Sequence, residues 1–265
     1  MYKDKQRKHI GLARMRWFVF LAFWSTTLFA HEAQLVTQHL SLKRQHKTGW
    51  QSDLIAKATL SRKWEAGLQG TYLERFNFFE KRAGAFAFYR PNDRLTLEAR
   101  YLQGSGNQIL PERQYHLHAY YALAQGLAPF LFYRDMKYSV TRLHAVNLGL
   151  EIEKIRSFII IPQIMMGKAT FNSPADTKNV YNYGLKVIYY QELRFSLFAF
   201  GYKGKEAAQG IIGASNQLID TLSGGAGAGY YFRPATKAEL VVDHTNYKQL
   251  KNQFLTTTLN LIQVF

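Results

Sequence analysis

The chain has 265 residues, enough for one domain, and no cysteine, which excludes a disulfide framework and any thiolate metal site. Its 34 Lys and Arg against 18 Asp and Glu give a net charge of +16, while hydrophobic residues make up 47% and aromatics 15%. A basic surface of that kind serves nucleic acid, anionic lipid or anionic glycan, and a chain bound for export leaves the last two.

Residues 1–30 carry the export pattern. Lys3, Lys5, Arg7, Lys8, Arg14 and Arg16 stand against a single Asp4, and an apolar run from Phe18 to Ala30 follows, ending in Leu28-Phe29-Ala30 as a cleavage site. This reads as a secretory signal peptide, with an apolar part too short to span a bilayer as a helix. Its removal leaves 28 basic against 17 acidic side chains, a net charge of +11. After Ala30 no apolar stretch approaches the roughly 20 residues that a transmembrane helix needs.

From residue 31 to 265 the sequence breaks into strand-length segments that alternate apolar and polar side chains. Leu54, Ala56, Ala58 and Leu60 alternate with Asp53, Lys57 and Ser61. Leu95, Leu97, Ala99 and Tyr101 oppose Thr96, Glu98 and Arg100, and Tyr115, Leu117, Ala119 and Tyr121 oppose Gln114, His116, His118 and Tyr120. The same pattern recurs at Val146–Ile152 against Asn147, Glu151 and Glu153, at Tyr181–Tyr189 against Asn182 and Lys186, and at Ala238–Val242 against Lys237, Glu239 and Asp243. Period two belongs to strands, whose successive side chains point to opposite faces. A charged face opposite an apolar one fits a barrel with lipid outside and water inside. Three segments, 83–89, 158–166 and 195–202, are apolar on both parities, and Pro162 calls for a bulge or a weakly paired position.

Strands are expected near 34–46, 50–63, 65–78, 81–91, 94–104, 112–124, 127–138, 140–153, 156–171, 178–191, 193–205, 218–233, 235–247 and 252–265. Every second connection is short and polar, and the longer ones fall around 104–112, 168–178 and 203–217. Short turns on one side and longer loops on the other is the asymmetry of outer-membrane barrels, and an even strand number closes such a sheet without an edge. The expected fold is therefore an all-β, antiparallel, up-and-down transmembrane barrel of about fourteen strands, with twelve as the alternative if weak segments are loops. The final strand, with Leu259 and Leu261 at alternate positions and a terminal Phe265, has the ending of an outer-membrane insertion signal, although Gln263 interrupts its apolar face.

The chain resembles the YaiO family of outer-membrane proteins. The resemblance rests on its length, the signal peptide, seven hairpins, the terminal Phe265 and the stretch Tyr115–Tyr202. In that stretch Tyr-His-Leu-His-Ala-Tyr-Tyr leads through Leu127-Ala128-Pro129 to Phe130–Tyr138 and then Val146-Asn147-Leu148-Gly149-Leu150-Glu151. It implies a barrel in the bacterial outer membrane and little chemistry beyond a link to envelope polysaccharide; no catalytic motif and no cofactor come with it.

Chemistry is therefore sought at the inward parity, where Lys57, Glu98, Arg100, His116, His118, Glu151, Lys186, Lys237, Glu239 and Asp243 fall. Fixed charges in a lumen either pair with one another or select solutes by sign. His116 and His118, about 6–7 Å apart on one face, are the best pair for a metal or general base, and a metal would need a third ligand from elsewhere. Gly224-Gly225-Ala226-Gly227-Ala228-Gly229 lacks the Lys-Ser or Lys-Thr of a phosphate loop and reads as a bend or close contact. Trp50, Trp64, Tyr89, Tyr189 and Tyr231 are expected in interfacial girdles.

Three functions follow as expectations. The first is a pore or transport channel for small or glycan-like solutes, with Lys57, Arg100 and Lys186 drawing in anions and Glu98 and Glu151 shaping selectivity. The second is a filled structural or surface-binding barrel acting through loops 104–112 and 203–217, and the third an envelope lipid or glycan hydrolase using His116 or His118. Expected partners are outer-membrane lipid and lipopolysaccharide, the barrel-assembly machinery and an anionic glycan or small solute, with no nucleic acid and no cofactor or metal.

Overall fold

The alternation of Leu97, Ala99 and Tyr101 with Glu98, Arg100 and Leu102 becomes a physical partition in the computed structural model. The first three are exposed on the outer wall; Leu102 is buried and Glu98 and Arg100 are half-buried inside. The structure describes residues 31–42, 47–75, 78–105, 109–123, 126–155, 157–171, 173–191, 194–207, 218–233, 235–248 and 252–265. The expected signal segment, residues 1–30, lies outside these.

Fourteen strands form one closed sheet: β1 (Glu32–Leu42), β2 (Lys47–Thr59), β3 (Trp64–Arg75), β4 (Phe78–Tyr89), β5 (Leu95–Gly104), β6 (Arg113–Tyr121) and β7 (Leu127–Lys137), then β8 (Thr141–Ile155), β9 (Phe158–Phe171), β10 (Ser173–Gln191), β11 (Phe195–Ala207), β12 (Leu218–Arg233), β13 (Thr236–Tyr247) and β14 (Asn252–Val264). Each strand pairs antiparallel with its neighbours in sequence, and β1 closes on β14 from Glu32↔Val264 to Leu42↔Phe254. The strand count is thus fourteen, and the sheet has no free edge.

Two ends are distinguished by their connections. At the terminal end, which carries Glu32 and Val264, the turns are tight: Leu60 and Ser61 donate to the Trp64 carbonyl, Ala122 to Arg94 and Tyr190 to Ser157. Gly126, at φ 69°, makes the turn into β7, a conformation that costs glycine nothing. At the opposite, loop end, two expected long connections are shorter than their composition implies. Pairing continues through Thr170↔Thr177, so β9 reaches Phe171 and β10 starts at Ser173, with a register shift between Ser173 and Thr177. β11 likewise runs to Ala207, and the remaining connection, 208–217, lies outside the described residues.

The three segments without clean alternation are β4, β9 and β11. In β4 and β11 the inward parity is apolar because its rings lie against glycines of a neighbouring strand, a packing that β7 shares. Phe86 covers Gly67, Phe130 covers Gly149, Phe198 covers Gly227 and Phe200 covers Gly225. The glycine-rich run of β12 is thus a bed for the rings of β11 within an unbroken strand. Pro162, which has no amide to donate, stands where the β8–β9 ladder skips from Gly149↔Gln163 to Ile152↔Ile160.

Side by side on β3, two glycines separate packing from exposure. A Cβ on inward Gly67 would collide with the Ala56 carbonyl and the Phe86 ring, whereas one on outward Gly70 would meet nothing within 4 Å. Gly67→Val is expected to lower barrel stability by about 1–3 kcal/mol through overpacking, and Gly70→Val to leave it nearly unchanged. Urea-dependent unfolding of the refolded barrel measures both; equal midpoints would contradict the ring-on-glycine packing.

Candidate functional site

Inward side chains form three layers between the loop end and the terminal end. The first, at the loop end, is apolar. Phe171, Ile219, Leu73 and Leu102 are almost fully buried, and Met136, Leu143, Ala169, Phe171 and Val180 pack as one cluster from β7 to β10. A second cluster joins Leu73 and Phe78 to Ile109 and Leu110 of the β5–β6 connection, two residues that therefore fold into the mouth.

That connection is tied down by a carboxylate. Glu80, 2% exposed on β4, accepts the amide of Ile109 at 3.1 Å from both oxygens and the amide of Leu110 at 2.5 Å. Burying an ionised carboxylate is costly, and amide donors aimed at it are what make the position tolerable. Gly104, donating to the Glu112 carbonyl at 2.8 Å, fixes the base of the same connection.

Below lies a guanidinium band on the β2–β7 side. Arg100 stands in register with His116, and His116 with Arg134, so one row of three strands carries two guanidiniums around an imidazole. Arg100 donates to Gln69 at 2.6 Å and to Glu98 at 2.7 Å. Arg82 reaches Gln114 across β5 and Thr71 at 3.4 Å on β3; Gln114 in turn contacts His116. Arg134 leans on the Met165 sulfur, 2.7 Å away on β9, and above them Arg75 crosses to the ring of Phe254 at 4.9 Å. Asp53 answers this band from β2, accepting from Thr71 at 2.5 Å, Gln51 at 2.8 Å and Gln69 at 3.2 Å. Three guanidiniums, those of Arg82, Arg100 and Arg134, thus share a wall with Asp53 and Glu98, while Arg75 and Glu80 stand closer to the loop end beside Leu73. Aromatic rings back the cations: Arg100 lies 4.9 Å from the Phe86 centroid and Arg134 5.8 Å from Phe132.

The third layer, toward the terminal end, is a set of ion pairs. Lys57 bridges Glu32 at 2.8 Å and Glu65 at 3.3 Å, and Arg90 holds Glu65 from the other side at 2.8 Å. Lys237 pairs with Glu239 at 2.9 Å and lies over the Tyr231 ring. Glu151 accepts from the Tyr120 hydroxyl at 3.0 Å; farther in, Lys186 sits 4.7 Å over the Phe198 ring, and Asp243 stands opposite Thr256 nearer the loop end. His118 is 3.9 Å from Glu98, with Phe130 and Phe132 edge-on to it. The ten residues singled out by parity therefore occupy two layers. Arg100, His116, His118 and Glu98 converge; Lys57 is spent on acids at the rim; Glu151, Lys186, Lys237, Glu239 and Asp243 lie on β8, β10 and β13.

Sequence reasoning missed Arg75, Arg82, Arg134 and Glu80. Arg82 shares its parity with Glu80 and Phe86, and Arg134 with Phe132 and Met136, so strict counting by two along β4 and β7 would have found them. Among the described residues no group of three His, Asp or Glu side chains is placed to hold a metal ion. Tyr231 corrects the expected girdle: it shares the parity of Lys237 because Tyr230 and Phe232 take the outward positions. Trp64 and Tyr89 do stack on the outer wall at the terminal end, with centroids 4.5 Å apart. Leu259 and Leu261 lie on that wall too, and the Phe265 amide donates to the His31 carbonyl at 2.8 Å.

Glu80→Ala removes the acceptor for two amides. Hydrogen exchange at Ile109 and Leu110 is expected to accelerate about 10–100-fold, the equivalent of the 1.5–3 kcal/mol of a charged hydrogen bond. Unchanged protection would show that Leu73 and Phe78 hold the connection without the carboxylate.

No family model matches the chain, and no curated protein matches it in sequence. Solved structures do share its fold. The CymD monoaromatic hydrocarbon channel aligns over 91% of this chain and 90% of its own, at 11% identity and a TM-score of 0.59. A Pseudomonas aeruginosa FadL homologue aligns over 88% and 90%, at 8% identity and 0.62. A bacterial polysaccharide outer membrane secretin aligns over 88% and 98%, at 9% identity and 0.56. At such identities the likeness is one of fold, and that fold is the outer-membrane β-barrel.

Proposed function

We propose that this chain sits in the bacterial outer membrane, exported by residues 1–30, and forms a channel for small anionic solutes, acidic glycan fragments among them. The guanidinium band of Arg82, Arg100 and Arg134 carries this reading, because against Asp53 and Glu98 it sets more positive than negative charge on one wall midway through the barrel. Fixed charge at such a level lowers the barrier for the opposite sign. Lys57, engaged by carboxylates at the terminal rim, contributes less to attraction than its sequence position implied.

Membrane placement is supported by the outer wall, where Leu68, Phe79, Leu117, Leu185, Leu222 and Leu240 are exposed. Apolar side chains in a continuous outward row are stable against hydrocarbon and costly against water. The short turns then lie in the periplasm and the loop end outside the cell. Two barrels of the same fold are described as a hydrocarbon channel and a polysaccharide secretin, which is consistent with transport. Membership of the YaiO family belongs to this proposal and rests on the sequence resemblance.

A second reading has its own observation. The deeply buried apolar layer and the infolded β5–β6 connection favour a filled barrel that works through its outer loops. Conductance separates the two. In a planar bilayer the refolded barrel is expected to give discrete, anion-preferring steps, and Arg82→Gln with Arg100→Gln to cut the anion-to-cation permeability ratio by about threefold or more. His118→Ala is expected to leave the steps unchanged. Inserted barrel that stays silent, in wild type and in Glu80→Ala alike, would overturn the channel in favour of the filled barrel.

A further inference from the structure

Across β11 and β12 part of the outer wall carries only small side chains. There Ala199 pairs with Ala226 and Gly201 with Gly224, all at outward parity. A Cβ added to Gly201 would come no closer than 3.9 Å to another atom, and one on Gly224 no closer than 3.5 Å, so either position would accept a side chain in ordinary contact. Beside them the wall is tall: Leu185 lies across from Gly201 on β10, Ile164 and Pro162 on β9, Leu148 on β8 and Leu222 on β12. The result is a groove of about 700 Å³ on the outside of the barrel, floored in part by Gly201 and flanked by these side chains.

The groove has a charged edge. Lys203 lines it one step closer to the loop end than Gly201, in register with Tyr183 and Leu222. Beyond it on the same outward face are Lys205, in register with Tyr181, and Lys168, in register with His144 and Asn179. The acid on this stretch of wall is Asp220, 4.0 Å from Lys205. The outward row continues through Arg142, Lys137 and Arg113 on β8, β7 and β6, tempered by Asp135 and Glu112. An apolar trough topped by ammonium groups, at the level where hydrocarbon gives way to headgroups, complements a molecule with acyl chains below and phosphate above.

We infer that this groove seats the phosphorylated glycolipid of the outer leaflet, lipopolysaccharide, with an acyl chain against Gly201 and a lipid A phosphate at Lys203. The inference rests on the membrane placement proposed above and is independent of transport. A side chain at position 201 would fill the trough from inside the chain's own wall, and glycine there leaves the space to the lipid. The cations are placed to contact phosphate without leaving the hydrocarbon surface, because a lysine stem is itself apolar.

The test uses the refolded mature barrel, floated into vesicles to score insertion and then mixed in detergent with bis-phosphorylated lipid A, dephosphorylated lipid A or phosphatidylethanolamine. Retained lipid is counted by native mass spectrometry. One bis-phosphorylated lipid A is expected to stay bound to wild type, with retention falling about tenfold in Gly201→Leu, in Lys203→Glu and for the dephosphorylated lipid. Ala83→Leu, on the outward face of β4 at the opposite side of the barrel, is expected to retain lipid as wild type does and controls for folding. Wild type that fails to insert defeats the membrane placement itself; wild type that inserts and retains no lipid A defeats the seat alone. Equal retention of phosphorylated and dephosphorylated forms, or retention unaffected by Gly201→Leu, also overturns it. So does a Gly201-dependent dimer of the chain that forms without lipid.

Discussion

Every other feature depends on the hydrogen-bonded seam between β1 and β14. Strands leave half their backbone groups unpaired at a sheet edge, and hydrocarbon offers those groups nothing. Eleven consecutive residue pairs, from Glu32↔Val264 to Leu42↔Phe254, remove both edges at once, and the amide of Phe265 continues the ladder onto His31. Closure does more than satisfy donors. Once the ring is shut, a one-residue slip in any strand would turn its whole inward set outward, so the seam fixes the facing of all fourteen strands together.

With facing fixed, the interior divides by what each layer can satisfy. At the terminal end, open to solvent, acids and bases meet in pairs such as Lys57 with Glu32 and Glu65, whose attraction water screens. Farther in, where fewer waters reach, guanidiniums are held by neutral amides and hydroxyls, Gln69, Gln114 and Thr71, as well as by acids. Such partners satisfy the donors without cancelling the charge, so the band keeps a net field that the rim does not. At the loop end the interior is mainly apolar, and there Glu80 is matched by backbone amides that residues 109–110 of a connection deliver from inside the barrel. The infolded connection and the buried acid therefore explain each other.

Glycine sets the dimensions of both walls. Inside, rings of Phe86, Phe130, Phe198 and Phe200 lie over glycines of adjacent strands, which keeps bulky side chains close to the wall. Outside, Gly201 leaves a trough between tall neighbours. The same residue type thus supports a lining on one face and a recess on the other, and only parity separates the two roles. That is why β12, with glycine or alanine at six positions in a row, is a continuous strand despite its composition.

The sequence by itself determined the fold class, a count of about fourteen strands and the face to which most side chains turn, because period two and turn chemistry are local and repeat in every hairpin. Leu95–Gly104 and Arg113–Tyr121 could be read almost residue by residue, and Glu98, Arg100, His116 and His118 came with them. Segments apolar on both faces, such as β4 and β11, could not, since the glycines that receive their rings lie on other strands. Only the tertiary structure decided which inward charges meet. Arg82 and Gln114 are 32 residues apart, and Glu80 and Leu110 are 30 apart. It also decided that β9 and β10 continue pairing past the expected loop, and that the β5–β6 connection enters the barrel. Facing is a property of one strand and its neighbours in sequence, whereas height and company inside the barrel depend on stagger around a closed ring, which no single segment encodes.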